Sequence, residues 1–289
     1  MKHVHIIVIT QGLEGCGVVV STGFGASLRC PVGTKVGFIA KDPKQGSYSE
    51  YVTMNVMTST FPMPDDVPIE DCASFFVNPY TAVGILDTAK QNGSNAFVHT
   101  AAASQLGQMM NKLAVIEDME IINVVRREEQ KELLEKVGAK HIIVTGGVET
   151  EVWKSELKEK IKELGATCAF DAVAGDMSGH LLDVLQKKGK LYVYGRLGGN
   201  ASGINPVNLI YREKQLKGFY LTSWLMSGNP VTIGMRLLSA GKTVNSGLGE
   251  GGWCSSQFED ITMENLHEEV TKGLEGSMTG RKLRVRMSE

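Results

Sequence analysis

One stretch limits what this chain can fold into more than any other: Asn95-Ala96-Phe97-Val98-His99-Thr100-Ala101-Ala102-Ala103-Ser104-Gln105-Leu106-Gly107. Its short apolar run reads as a buried strand. Ala101 to Ser104 are small, as a tight turn with close backbone approach requires. Leu106, Met109, Met110 and Leu113 then recur at helical spacing. Met119 to Val125 reads as the next parallel strand, and it ends in Arg126 and Arg127. Strand, small turn, helix and strand in that order make the first βαβ unit of a dinucleotide-binding fold.

Such a unit holds a pyrophosphate on the backbone N–H groups of a helix N-terminus. The usual fingerprint is G-x-G-x-x-G, and its three positions here are Ala102, Ser104 and Gly107. Only the last glycine is kept, so the pattern gains its weight from the strand before it, the amphipathic helix after it and the second strand. The end of that second strand selects the cofactor. An NAD site places Asp or Glu there for the ribose 2′-OH, whereas this chain has Arg126 and Arg127. Guanidinium groups suit a 2′-phosphate, so NADPH is expected over NADH. The other reading of the pair is the solvated start of a charged helix running to Lys136.

Composition bounds the remaining classes. The 289 residues are 42% hydrophobic and 21% charged, with a formal net charge of −2. That fits a soluble globular protein with one large or two modest cores. No basic run interleaved with aromatics appears, which argues against nucleic acid. No apolar run reaches the length of a membrane helix. Val4 to Ile9 is too short and too weakly flanked for a signal peptide and reads as a strand. The five cysteines are odd in number and scattered, without a C-x-x-C pair, so a reducing, cytoplasmic setting is expected. The six histidines stand singly, without metal-ligand spacing.

In chain order, residues 4–9, 17–20, 35–40 and 49–56 are strand-like and punctuated by glycine and proline, as in a small barrel-like β domain. The proline-rich run Pro62 to Pro68 reads as a hinge. A helix opens at Pro68 to Asp71, and another runs through residues 78–86. Beyond Asn95, strands are expected at 96–100, 119–125, 141–144, 168–173, 190–195 and 216–222. Helices are expected at 105–117, 128–137, 151–164 and 177–187. That alternation implies a doubly wound parallel sheet. Residues 244–257 read as loop, 263–272 as helix and 282–287 as a last strand.

Several motifs in fixed order carry a family resemblance. They are Gly12-Leu13-Glu14-Gly15-Cys16-Gly17-Val18-Val19, Val32-Gly33-Thr34-Lys35-Val36, Gly46-Ser47-Tyr48-Ser49-Glu50-Tyr51, Val77-Asn78-Pro79-Tyr80-Thr81-Ala82, Val137-Gly138-Ala139 and Tyr192-Val193-Tyr194-Gly195. Over roughly residues 12–289 the chain resembles the zinc-less branch of the medium-chain dehydrogenase/reductase superfamily, the branch of quinone oxidoreductases and enoyl-thioester reductases. The resemblance implies an α/β fold: a Rossmann doubly wound parallel sheet plus a GroES-like β-barrel domain. Residues 76–225 would form the NADP-binding domain, with 1–75 and 226–289 forming the β domain. Zinc relatives carry His where Leu13 stands, and their four-cysteine loop is missing, so no metal is expected.

Site residues follow from the same resemblance. Asn78 corresponds to the residue at the nicotinamide end of the cleft; its other reading is a helix N-cap. Ser104, Gln105, Leu106 and Gly107 would face the pyrophosphate. Tyr194, Gly195, Arg196 and Leu197 match a cofactor-lining segment, as do Ser223, Trp224 and Leu225. Trp224 also reads as a packed core residue. Arg281 stands where relatives turn a basic residue toward the cofactor, or in a solvated turn. Tyr48 is a candidate hydrogen-bond donor to a substrate carbonyl, or an aromatic packing residue.

Relatives carry a further stretch before the G-x-E-G motif, which begins here at Gly12, so an N-terminally incomplete β domain is expected. The proton-donating tyrosine proposed for enoyl-thioester reductases lies in that stretch and has no counterpart here. The resemblance thus implies NADPH-dependent hydride transfer to a quinone or to the activated C=C bond of an enal, enone or enoyl thioester. Asn78 or Tyr48 would stabilise charge on the carbonyl oxygen, and water would supply the proton. The alternative is a catalytically weak NADPH-binding protein with an incomplete substrate lobe. A short-chain dehydrogenase is disfavoured because no Y-x-x-x-K pair follows a fourth strand. Pairing of relatives through a sheet edge makes a homodimer the expected assembly.

Overall fold

A computed structural model of the chain describes residues 12–40, 46–255, 257–272 and 282–287. The first strands are β1 (Glu14–Val18), β2 (Lys35–Ile39) and β3 (Thr60–Pro62). A 3-10 helix (Ile69–Ser74) leads into α1 (Val77–Gln91). Strands and helices then alternate as β4 (Ala96–Thr100), α2 (Gln105–Ile116), β5 (Glu120–Val125), α3 (Glu128–Lys136), β6 (His141–Val144) and α4 (Thr150–Leu164). The alternation continues through β7 (Cys168–Asp171), α5 (Asp176–Val184), β8 (Lys190–Val193), α6 (Pro206–Ile210), β9 (Gln215–Gly218), α7 (Leu221–Leu225) and α8 (Pro230–Asn245). Last come β10 (Phe258–Ile261), α9 (Leu266–Lys272) and β11 (Lys282–Val285). The chain divides into two compact units, one of residues up to Pro79 and from Lys242 onward, the other Tyr80–Gly241.

The unit Tyr80–Gly241 is a six-stranded sheet in the order β6-β5-β4-β7-β8-β9, with every pairing parallel. This is the Rossmann order, so the expected fold class holds. Val98 stands opposite Ile122 on one side and Ala169 on the other. Beneath that face Trp153, Leu157 and Ile161 of α4 and Leu181 and Leu182 of α5 are buried. Each such side chain contributes about 1.5–3 kcal/mol by leaving water. α4 repeats its apolar positions four apart and stops at Gly165, whose φ of 67° lets its N–H reach the Ile161 carbonyl.

The opposite face carries a polar lock. Asn123 alternates with Ile122 and Val124, so it points the other way. It meets Asn111 of α2, and the two amides exchange hydrogen bonds of 2.8 and 2.9 Å. Asn111 also donates to the Gly107 carbonyl, and Asn123 to the carbonyls of Ile121 and His141. A satisfied buried amide pair fixes one roll angle of the helix, which apolar contacts alone do not.

In the other unit, β1, β2 and β3 form an antiparallel sheet, and β10 and β11 pair in parallel. Met63, Val67, Cys72 and Phe75 form its core, with Phe61 and Phe76 rings against Phe75. Residues 49–56 do not form the expected strand. Asn55 turns the chain there, its side-chain oxygen accepting from the N–H groups of Met57 and Thr58, and that local bonding replaces a ladder. The expected strand 4–9 lies outside the described residues. Residues 216–222 split into β9 and the helical turn α7, because Trp224 and Leu225 are buried by helical geometry. α8 was not expected: Val231, Met235 and Leu238 are exposed and blur its apolar stripe.

Candidate nucleotide site

Strand order reverses at β4 and β7, and in such sheets ligands bind beyond the carboxyl ends at the reversal. The turn leaving β4 is tightly specified. Ala101 adopts φ 51°, a left-handed conformation that L-residues rarely take. Ala102 and Ala103 are buried. A Cβ on Gly107 would lie 2.0 Å from the Ala102 carbonyl oxygen, so this third fingerprint position admits only glycine. Ala102 and Ser104 show that the first two positions here accommodate a Cβ. Ser104 is the N-cap of α2, its Oγ accepting from the Gly107 N–H at 3.2 Å. The first-turn amides of a helix have no acceptor within it, so the α2 N-terminus is a ready anion site.

Across the reversal stands a buried carboxylate that sequence reading missed. Asp171 ends β7 with no exposed surface. It accepts from the hydroxyls of Thr100 and Ser178, each at 2.7 Å, and from the N–H groups of Val173 and Ala174 at 2.9 and 3.2 Å. Thr100 in turn accepts from the Ala172 N–H at 2.9 Å. The carboxylate thus ties the carboxyl ends of β4 and β7 to the start of α5. The only signal in the sequence was an acidic residue closing an apolar strand before a small-residue turn.

The residues singled out after β5 and β8 reach the same edge. Gln130 accepts from the N–H groups of both Arg126 and Arg127, at 2.9 and 3.1 Å. Gly146 donates to the Arg126 carbonyl, and a Cβ on it would lie 2.1 Å from that oxygen. The Arg126 backbone is therefore pinned, with its side chain exposed, while Arg127 is half-buried. Beyond β8, a Cβ on Gly195 would lie 2.6 Å from the Ala172 carbonyl oxygen, and the Leu197 N–H donates to that oxygen. Arg196 and Leu197 are exposed. Tyr194 reaches back to β4, its hydroxyl 2.5 Å from His99 Nε2.

Trp224 sits differently. Its ring lies against Gly84 of α1, and its Nε1–H donates to Asp87 at 2.8 Å. Arg236 donates to the carbonyls of Trp224 and Ser227, closing the end of α7. The indole is therefore a packing group, while Ser223 beside it is exposed.

In the unit that holds both chain ends, Asn78 is the second residue of α1, not its N-cap. The helix start is held instead by Glu14, whose Oε2 accepts from the N–H groups of Phe76 and Val77 at 3.1 and 2.9 Å. Glu14 Oε1 pairs with Lys282 at 2.8 Å. Tyr48 lies in a bend rather than a strand and, with Glu14, Tyr51 and Lys282, lines a cleft of about 1230 Å³ within this unit. Arg281 lies outside the described residues. Burial pushes the thiols of Cys16 and Cys168 up to about 12 and that of Cys72 to about 11, so none of the three is poised as a nucleophile. Among the described residues, no three His, Cys, Asp or Glu side chains gather as metal ligands, and no helix is long and apolar enough to cross a membrane.

Residues 106–234 match the family model of zinc-binding dehydrogenases. The structure overlays on a protein described as an NADPH:quinone reductase from Mesorhizobium loti with a TM-score of 0.82. The two are 30% identical, over 96% of this chain and 77% of the other. The chain belongs to the medium-chain dehydrogenase/reductase superfamily. Within the superfamily it is 27% identical over 227 residues to the mitochondrial enoyl-[acyl-carrier-protein] reductase of Bos taurus, covering 76% of this chain and 58% of that one. It is 29% identical over 223 residues to prostaglandin reductase-3 of Mus musculus, covering 74% and 56%. The chain spans between 46% and 61% of the length of these and similar curated relatives.

Proposed function

We propose that this chain is an NADPH-dependent oxidoreductase that delivers hydride to a quinone or to the activated C=C bond of an enone or enoyl substrate, without zinc. One observation carries the reading: an arginine pair closes β5, the first of the two exposed on a pinned backbone, where an NAD site needs a carboxylate. The names of the matched reductases point the same way.

When bound, the dihydronicotinamide supplies the hydride. The chain's own groups do the rest. Gln105 and Leu106 offer backbone N–H groups to the pyrophosphate, while the Gly107 N–H is held by the Ser104 hydroxyl and its missing side chain lets α2 start close against the Ala102 carbonyl. Arg126 and Arg127 bind the 2′-phosphate. Tyr194 to Leu197, Ser223, Leu225 and Arg281 complete the cofactor contacts, with Trp224 packed behind Ser223 and Leu225 to hold that segment. Negative charge grows on a substrate carbonyl oxygen as hydride arrives, and Asn78 or Tyr48 donates a hydrogen bond to it. Water provides the proton.

We further propose a homodimer through the β9 edge. All four residues of β9 are exposed, and Ile210, Tyr211, Tyr220 and Leu238 add exposed apolar surface in the same unit. Light scattering reads the assembly directly, and a monomer at micromolar concentration would reject it.

The deciding experiment titrates NADPH and NADH against wild type and Arg126→Asp. Charge-assisted hydrogen bonds to phosphate are worth about 1.5–3 kcal/mol, so NADPH should weaken by roughly 10- to 100-fold with NADH little changed. Equal effects on both would remove the phosphate assignment. Oxidation of NADPH against a panel of quinones and enals then tests the chemistry, and tight binding without turnover on any of them would reject the reductase reading.

A further inference from the structure

His99 is fully buried on β4. Its Nε2 meets the Tyr194 hydroxyl at 2.5 Å, and the two rings lie nearly parallel, 11° apart. Its Nδ1 is buried and has no hydrogen-bond partner among the described residues. The pair spans the place where the strand order reverses, since β4 and β8 flank β7.

A neutral imidazole carries one proton, and the two tautomers differ sharply in this setting. With the proton on Nδ1, a donor would be buried with nothing to accept it. With the proton on Nε2, the ring leaves only a lone pair unused. The spare donor becomes the hydroxyl of Tyr194, a half-buried residue past the end of β8, rather than a nitrogen of a fully buried ring, where an orphaned N–H is the costlier case. Nε2–H therefore donates to the Tyr194 oxygen, which has one proton of its own left to give. Burial holds His99 neutral, its pKa pushed down to about 3. Burial, with the Asp171 carboxylate adding to it, pushes the Tyr194 phenol well above its usual value, so that proton stays in place.

We infer that His99 is a positioning residue that fixes Tyr194 as a hydrogen-bond donor, and that the Tyr194 proton is given to an oxygen on the nicotinamide half of the bound dinucleotide. The half is chosen by topology. A doubly wound sheet binds one mononucleotide on each half. The arginines that suit the adenosine 2′-phosphate follow β5, on the β4-β5-β6 side. Tyr194 follows β8, on the β7-β8-β9 side. The ligand part of this inference rests on the nucleotide reading above; the tautomer does not.

Two measurements test it. In nucleotide-free protein with ¹⁵N-labelled histidine, His99 should show an unprotonated Nδ1 and a protonated Nε2, unchanged from pH 5 to 8; a protonated Nδ1 overturns the inference. In Tyr194→Phe, which keeps the ring, NADPH should weaken roughly five- to thirtyfold while 2′,5′-ADP, which lacks the nicotinamide half, binds as to wild type. Equal loss on both probes, or none on either, overturns the assignment. Should wild type bind neither probe, the nucleotide reading and the ligand fall together, and the histidine spectrum still decides the tautomer.

Discussion

Asp171→Ala should be among the most damaging single substitutions in the parallel-sheet unit. The carboxylate accepts four hydrogen bonds, two from backbone N–H groups and two from hydroxyls. The hydroxyls of Thr100 and Ser178 can turn to other acceptors or to water entering the cavity. The N–H groups of Val173 and Ala174 cannot, because the turn fixes them. Each stranded N–H costs about 1–3 kcal/mol, so the alanine variant should lose about 4 kcal/mol. Asp171→Asn keeps an oxygen for the three donors now on Oδ1 and presents an amide to Ser178, whose hydroxyl can accept instead. It loses only the charge assistance, about 1–2 kcal/mol. Urea unfolding followed by far-UV circular dichroism gives both numbers from the midpoint shift at constant slope. An alanine variant within about 1 kcal/mol of wild type, or an asparagine variant worse than alanine, would refute the view that Asp171 holds the ends of β4 and β7 through these four bonds.

Two further outcomes follow from the same edge. Gly107→Ala places a methyl group 2.0 Å from the Ala102 oxygen, so α2 must shift; we expect a loss of about 3 kcal/mol and no measurable nucleotide binding, read by unfolding and by titration. His99 sets an acid limit. Its pKa is about 3 when folded against 6.5 as its ordinary value, so the unfolded chain binds the proton more readily. Its contribution is complete above about pH 6.5 and falls by roughly 1.4 kcal/mol per pH unit as pH drops toward 3. His99→Phe should flatten that part of the stability–pH curve, and an unchanged slope between pH 6 and 4 would contradict it.

The six-stranded parallel sheet was legible because its signals are local. Strands 96–100 and 141–144 coincide with β4 and β6, and helix 105–117 with α2 to within a residue. Each rests on a bounded apolar run or a four-residue repeat, which any buried parallel strand or one-sided helix must display. The β domain was less legible. Its turns are set by particular side chains, such as Asn55, and a run of alternating residues does not announce that one of them will take the neighbouring N–H groups for itself. Trp224 shows a third limit. An aromatic residue in a cofactor-lining motif and one packed on a helix glycine look alike until Gly84 and Asp87, over a hundred residues earlier, are seen beneath it.

The same limit explains why Asn78 could not be assigned from its neighbours. As a residue before a proline near a helix start, it fits an N-cap, and Asn is among the best caps. Yet the start of α1 is capped by Glu14, with Lys282 pairing the carboxylate from 268 positions away. A carboxylate at that end gains from two N–H groups and from the positive end of the helix dipole together, more than a neutral amide can. Glu14 is nearly buried, so its hydrogen bonds are shielded from competing water. With capping supplied from elsewhere in the chain, the Asn78 amide is not needed as the helix cap, which suits the donor role proposed for it. A residue's local role is thus released by a distant one, and the family motif that joins Glu14 to its glycines records the device without displaying its partner.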